Sequence, residues 1–119
     1  MAPRHDSFVW DAGKARLNLT KHGVRFEDAA RVLADPMGDV FHLEIFDDEH
    51  SDNDEDRWIT IGSEPQGRDI CLLVVWTRRP EERPQAGEGR IPTRIISARV
   101  VTRRERRDYE QHLRNRFGR

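Results

Sequence analysis

The sequence predicts an α+β domain with two short helices first, antiparallel strands next and one helix at the C-terminus. Three observations carry this expectation. The N-terminal third shows helical spacing of apolar residues, closed by Gly23 and again by Asp35-Pro36. The middle holds two strand-like runs, WITIG at 58–62 and DICLLVVWT at 69–77. The C-terminal part joins TRIISARVV, 93–101, to the helix-start signature TRRE at 102–105.

FVW at 8–10 reads as a short strand or an extended entry. Asp11 then suits an N-cap, because its carboxylate can accept the free N–H groups of a first helical turn. The helix should run to about His22, with Gly23 as a left-handed C-cap and Val24 making the apolar contact beyond it. FEDAARVLA, 26–34, places Phe26, Ala29, Ala30 and Leu33 on one stripe, and Asp35-Pro36 ends that helix. Two helices this close should form an antiparallel hairpin. A strand is expected around Val40 to Phe46, then an acidic loop, then WITIG, with EPQG at 64–67 as a turn. DICLLVVWT is the most apolar run and should be the central strand of a sheet of about four. Residues 78–92 have Pro, Gly and Glu without periodicity and read as a long mobile hairpin loop. After the last strand, Thr102 and Glu105 match a capping box. That helix should reach about Leu113, with residues 114–119 fraying.

At 119 residues the chain predicts one domain with a single core, spanning about 8–113. Apolar residues are 35% and charged ones 36%, a polar balance, but CLLVVW and WITIG argue against a disordered chain. One cysteine, Cys71, excludes an internal disulfide and a multi-cysteine zinc site; its place in CLLVVW suits a buried thiol. No run approaches the ~20 apolar residues of a membrane span and none resembles a signal peptide, so a cytoplasmic protein is expected. The net charge of -1 conceals a separation: EIFDDEHSDNDED at 44–56 is acidic, whereas residues 90–119 carry ten arginines against three acids.

Lys14, Asn18 and Lys21 share a helix face, with His22 beside it. Such cations either settle the helix dipole or touch phosphate. His50 lies among carboxylates that favour its cation, so it is either a proton-transfer group or a solvated loop histidine. Asp52, Asp54 and Asp56 alternate as at the start of an EF-hand, but Arg57 stands where that loop needs Gly and Ser63 where it needs Glu. No metal site is expected. Arg57 can face a phosphate or pair with a neighbouring acid. In a regular last strand, Ile95, Ser97 and Arg99 face one way and Arg94, Ile96 and Ala98 the other, so Arg94 and Arg99 should lie on opposite faces. In the terminal helix, Tyr109 and Leu113 form the core stripe, and Arg106 and Glu110 form a surface pair. Arg103 and Arg107 are like charges on one face, and Arg103 and Arg104 occupy a first turn where the dipole disfavours cations. That placement favours an anionic partner.

Three blocks together resemble the BrnT family of toxins. The first is FVWDAGKARLNLTKHGVRFEDAA, through Trp10, Asp11, Lys14, Asn18, Lys21, His22, Gly23, Val24, Phe26 and Ala29. The second is HSDNDEDRWITIG, through His50, Ser51, Glu55, Arg57, Ile61 and Gly62. The third is RIISARVVTRRERRDYE, residues 94–110. The sequence departs from the family at Arg25, where a small capping residue is usual, and in the long 78–92 loop.

The resemblance implies a RelE-like fold and the toxin half of a type II toxin–antitoxin pair. It implies an endoribonuclease that inhibits translation without metal or cofactor. The partner would be a BrnA-like ribbon-helix-helix antitoxin, joined in a heterotetramer that touches operator DNA only through the antitoxin. On that reading Arg57, Arg94 and Arg99 stabilise phosphate charge, Lys21, His22, Arg103 and Arg107 help bind RNA, and His50 or Glu55 moves the proton, with Tyr109 a weaker candidate. The alternatives are a non-catalytic module that binds RNA or ribosomes, and a docking face for an acidic antitoxin segment.

Overall fold

The computed structural model describes residues 5–49, 55–64, 70–82 and 91–118. Asp11 caps the first helix, α1 (Ala12–His22), accepting the Lys14 N–H at 2.8 Å. Gly23 ends it at φ 70°, where an L side chain would be strained, and donates to the Leu19 carbonyl at 2.8 Å. The second helix, α2 (Phe26–Ala34), follows Arg25, which makes no side-chain cap; Glu27 and Asp28 in its first turn complement the helix dipole instead.

These helices cover one face of a mixed five-stranded sheet built from β1 (Phe8–Val9), β2 (Leu43–Phe46), β3 (Arg57–Ser63), β4 (Cys71–Thr77) and β5 (Thr93–Val100), in the order β1-β5-β4-β3-β2. The α+β expectation holds, with five strands rather than four. Strands β2 to β5 are antiparallel neighbours and β4 is central; the short strand read at FVW joins the same sheet as β1, a two-residue edge running parallel to β5. Phe26, Ala29, Val32 and Leu33 pack on Leu72, Val74, Trp76, Ile95 and Ala98 to form the larger core. Val32 is fully buried, so it belongs to the α2 stripe, whereas Ala30 is only half-buried. On the opposite face the C-terminal helix, α4 (Arg103–Phe117), sets Tyr109 against Ile61, Cys71 and Leu73. Cys71 is 2% exposed, a buried thiol as expected.

Several local expectations change. The strand expected from Val40 begins only at Leu43, because Gly38–Phe41 forms a helical turn, α3. Asp35 turns the chain into it by accepting the Met37 N–H at 3.0 Å. The turn seats His42 between two glycines: a Cβ on Gly62 would lie 2.5 Å from the imidazole Cδ2, and one on Gly38 2.7 Å from Nδ1. Helix α4 does not fray after Leu113. It continues to Phe117, with Gly118 at φ 73° as a C-cap and the Phe117 ring 5.5 Å from that of Phe41. In the 78–92 segment, Pro80–Glu82 forms a 3-10 turn rather than loose loop; residues 83–90, like residues 65–67 of the expected EPQG turn, lie outside the described residues. No helix among the described residues is long and apolar enough to cross a membrane.

The largest departure is in β5. Val75 pairs with Ser97, but the next residue, Trp76, pairs with Ile95, so Ile96 is an inserted residue. The insertion resets the alternation, and both Ile95 and Ala98 enter the core under α1 and α2. Arg94 and Arg99 therefore share the opposite face, contrary to the expectation for a regular strand.

Beyond its pairing with β1, the outer edge of β5 is met by a side chain. The Asn18 amide donates to the Ala98 carbonyl at 2.8 Å and accepts the Ala98 N–H at 3.1 Å, standing in for a neighbouring strand. It also donates to the Val24 carbonyl at 3.0 Å. Asn18 is the one buried residue of α1, so this helix is tied to the sheet mainly by hydrogen bonds. Asn18 therefore does not join Lys14 and Lys21 in an exposed row. Asn18→Ala should lower the unfolding free energy by at least about 2 kcal/mol, since each buried group left unsatisfied costs about 1–3 kcal/mol. Urea unfolding at an unchanged m-value measures this. A loss below about 0.5 kcal/mol would show that the amide contributes little.

Candidate anion-binding face

The bulge at Ile96 brings residues from three strands into rows on the side of the sheet that carries α4. The end row is Arg57, Thr77 and Arg94; the next is Ile59, Val75 and Ser97; the third is Ile61, Leu73 and Arg99. At about 4.8 Å between strands, the Arg57 and Arg94 backbones are roughly 10 Å apart. Tyr109 closes over the third row, while Ile59, Val75 and Ser97 stay half-buried and Ile45, beside Ile59, is 43% exposed. The result is an open shelf with an apolar floor and arginines at both ends.

Each arginine is held by a carboxylate. Glu55 pairs with Arg79 at 2.7 Å and Arg57 at 3.5 Å. Glu82, on the 3-10 turn, grips Arg94 through both Nε and Nη2. Glu105 takes both Nη groups of Arg99 at 2.7 Å while its Oε1 also accepts the Thr102 N–H at 2.8 Å. The expected capping box is thus present, and its acid serves Arg99 as well. The Arg99 hydrogen bond, then the Thr102 amide, hold the Glu105 carboxyl down at about 2 against partial burial. Arg94 likewise lowers the Glu82 carboxyl, and both arginines are pushed up by their partners. Guanidiniums in such pairs keep their charge, and each has five N–H donors, more than one carboxylate uses.

Lys21 and His22 lie on another wall. With Lys14, Leu17, Ile96 and Ser97 they line a groove of about 470 Å³ along the β5 edge, and Ser97 belongs to both groove and shelf. Arg103 and Arg107 are exposed on α4, beyond Arg99, and neither pairs with an acid among the described residues. The Arg106–Glu110 surface pair is present at 3.7 Å. Tyr109 is 6% exposed; burial, partly offset by a hydrogen bond with Ser63, raises its phenol, which suits the core rather than proton transfer. His50 lies outside the described residues, as do Asp52 and Asp54. Among the described residues, no group of three or more His, Cys, Asp or Glu is placed to hold a metal ion.

Sequence reasoning missed Arg79, which shares Glu55 with Arg57. Its only signal was its place two residues after a strand end, inside what read as loop.

An α+β domain with an open, arginine-walled sheet face is suited to a polyanion rather than a small apolar ligand. The family described as the ribonuclease toxin, BrnT, of type II toxin–antitoxin systems matches residues 10–105, and the chain belongs to it. A type II toxin has an antitoxin partner. No curated protein matches the chain.

The Glu105 pairing predicts a pH effect. Its carboxyl falls from the usual 4.5 to about 2 on folding, so its contribution is complete above pH ~4.5 and is lost as pH falls toward 2. Thermal unfolding of wild type and Glu105→Gln across that range should show a shallower decline in the variant. Parallel curves would mean that the Arg99 pairing does not form.

Proposed function

We propose that the protein is a metal-independent endoribonuclease that blocks translation by cleaving RNA through attack of a 2′-OH on the adjacent phosphate. The observation that supports this most is the sharing of one sheet face by Arg57, Arg94 and Arg99, which the β5 bulge makes possible. Cleavage needs negative charge stabilised on the phosphorane and protons moved at the 2′ and 5′ oxygens. Arg57, Arg94 and Arg99 supply the first need on this reading. His50 carries the proton. Glu55, the other candidate for that step, has its oxygens directed at two guanidiniums and acts better by orienting Arg57. Lys21 and His22 guide the RNA along the groove beside Ser97, and Arg103 and Arg107 extend the grip past α4. A single domain of about 8–113 contains this machinery, and α4 extends it. The antitoxin on this reading is a BrnA-like ribbon-helix-helix protein in a heterotetramer, contacting operator DNA on behalf of both, and the toxin acts in the cytoplasm.

Arg57→Ala and Arg99→Ala should each reduce cleavage of a defined transcript by about 10²-fold or more, as for loss of a transition-state donor, with folding checked by circular dichroism. His50→Ala should do the same. Should all three variants still arrest growth when expressed, the site is misplaced.

A second reading draws on the exposure of Arg103 and Arg107: a module that grips RNA or an acidic antitoxin segment without cutting. New RNA ends separate the two. If these arginines touch RNA, replacing both with alanine should reduce the slope of log K against log salt by about 1.4, or ~0.7 for each single-strand contact. Cleavage at saturating RNA should be unaffected. An unchanged slope together with loss of antitoxin binding would assign them to the antitoxin.

A further inference from the structure

On the other side of the sheet, at the same end as Arg57 and Arg94, lies a cavity of about 310 Å³ lined by His5, Glu44, Asp56, Trp58, Trp76 and Arg78. The arginine shelf does not use it. Its volume is at the lower limit of small-ligand sites, which run to ~300–1,000 Å³.

Its walls are fixed in place. Trp58 and Trp76 are cross-strand partners, with rings 18° from parallel and centroids 6.0 Å apart. The Trp76 indole donates to Thr60 Oγ1 at 2.8 Å, and the Phe46 ring stands edge-on to Trp58 at 5.1 Å. Trp76 is buried, but Trp58 is half-exposed and offers aromatic surface. Glu44, 3.4 Å from the Thr60 hydroxyl, and Asp56 supply acceptors. The Arg78 guanidinium lies over Trp76, 5.3 Å from its centroid, and approaches Thr93 Oγ1 at 3.3 Å.

We infer that this cavity receives one base of the RNA, a base bearing ring N–H or amino donors, with guanine the best fit. The inference rests on the ribonuclease reading above. Indole faces stack unpaired bases and tolerate any base. Carboxylates only accept, so they discriminate: guanine offers N1–H and N2–H₂ side by side, whereas uracil offers a single N3–H flanked by two carbonyl oxygens that a carboxylate repels. An organic cation fits less well, because the Arg78 guanidinium already lies on Trp76 and would repel it. That same guanidinium suits the phosphate of a bound nucleotide. Arg78 and Arg79 are consecutive yet serve opposite sides of the sheet: Arg79 joins Glu55 beside Arg57, and Arg78 joins Trp76. An RNA strand passing over this end would meet guanidinium on both sides, with the cavity taking a nucleotide away from the cleaved bond.

The test titrates 5′-GMP and 5′-UMP into the full chain and follows indole fluorescence, for wild type, Glu44→Gln, Asp56→Asn, Arg78→Ala and Arg57→Ala. GMP should bind at least tenfold more tightly than UMP. Glu44→Gln combined with Asp56→Asn should bring the two within about twofold. Arg78→Ala should weaken both, and Arg57→Ala should leave both unchanged. Equal binding of GMP and UMP by wild type overturns the inference. So does loss of GMP binding in Arg57→Ala, which would move the nucleotide to the arginine shelf. Tighter binding of arginine amide than of GMP also overturns it, assigning the cavity to a cationic side chain of a protein partner. RNA cleavage by wild type is scored separately: cleavage without a GMP preference defeats the base site alone, and a GMP preference without cleavage defeats the ribonuclease reading while leaving a base-binding cavity.

Discussion

The register of β5 is the constraint on which the rest of the structure depends. Ile96 is inserted opposite the Val75–Trp76 step, and one residue further on the Asn18 amide holds both backbone groups of Ala98. The insertion turns Arg94 and Arg99 to one side; the amide fixes the strand where no neighbouring strand does. A shift of one residue would exchange Ala98 for Arg99 in the core beneath α1 and α2, an arrangement excluded by the cost of burying an unpaired guanidinium. The same amide fastens α1, whose Leu17 is 70% exposed and whose apolar contribution to the core is small.

Much of this fold was legible in the sequence because its signals are local. Asp11, Gly23, Asp35-Pro36 and the Thr102–Glu105 pair act within one helical turn, and each marks the boundary it was expected to mark. Cys71–Thr77 is apolar on both faces because a helix covers parts of each, which is why it read as central. The failures are non-local. Nothing in RIISAR announces an inserted residue, since a bulge is decided by how two strands fit. FVW does form the short strand β1, but its parallel place beside β5, where Thr93 donates to Ser7, is set by a distant segment and could not be read locally. The turn at Gly38–Phe41 depends on a distant glycine, Gly62, that leaves room for the His42 ring.

The candidate site was legible by residue type and illegible by placement. Arg57, Arg94 and Arg99 could be named from the resemblance, but alternation argued against their sharing a face. Their acids were less visible still. Glu82 lay in a segment that read as loop, and its meeting with Arg94 joins the two ends of the β4–β5 connection. At least some of the acids are set against the arginines one by one, so the charge is distributed as oriented pairs. On the proposed reading, a phosphate approaching the shelf would meet guanidiniums whose direction is already fixed, and less ordering entropy would remain to be lost on binding.

Glu105 gives that orientation a thermodynamic side. One carboxylate closes the first turn of α4 and also holds Arg99 on β5, so the two elements share a single anion. Helix initiation and guanidinium orientation are then coupled quantities. Removing the acid and removing the arginine will not have additive effects, because each change deprives the same oxygen atoms of a partner. A ligand that draws Arg99 away must loosen the start of α4, and whatever tightens that helix start must, by the same linkage, hold Arg99 back from the ligand.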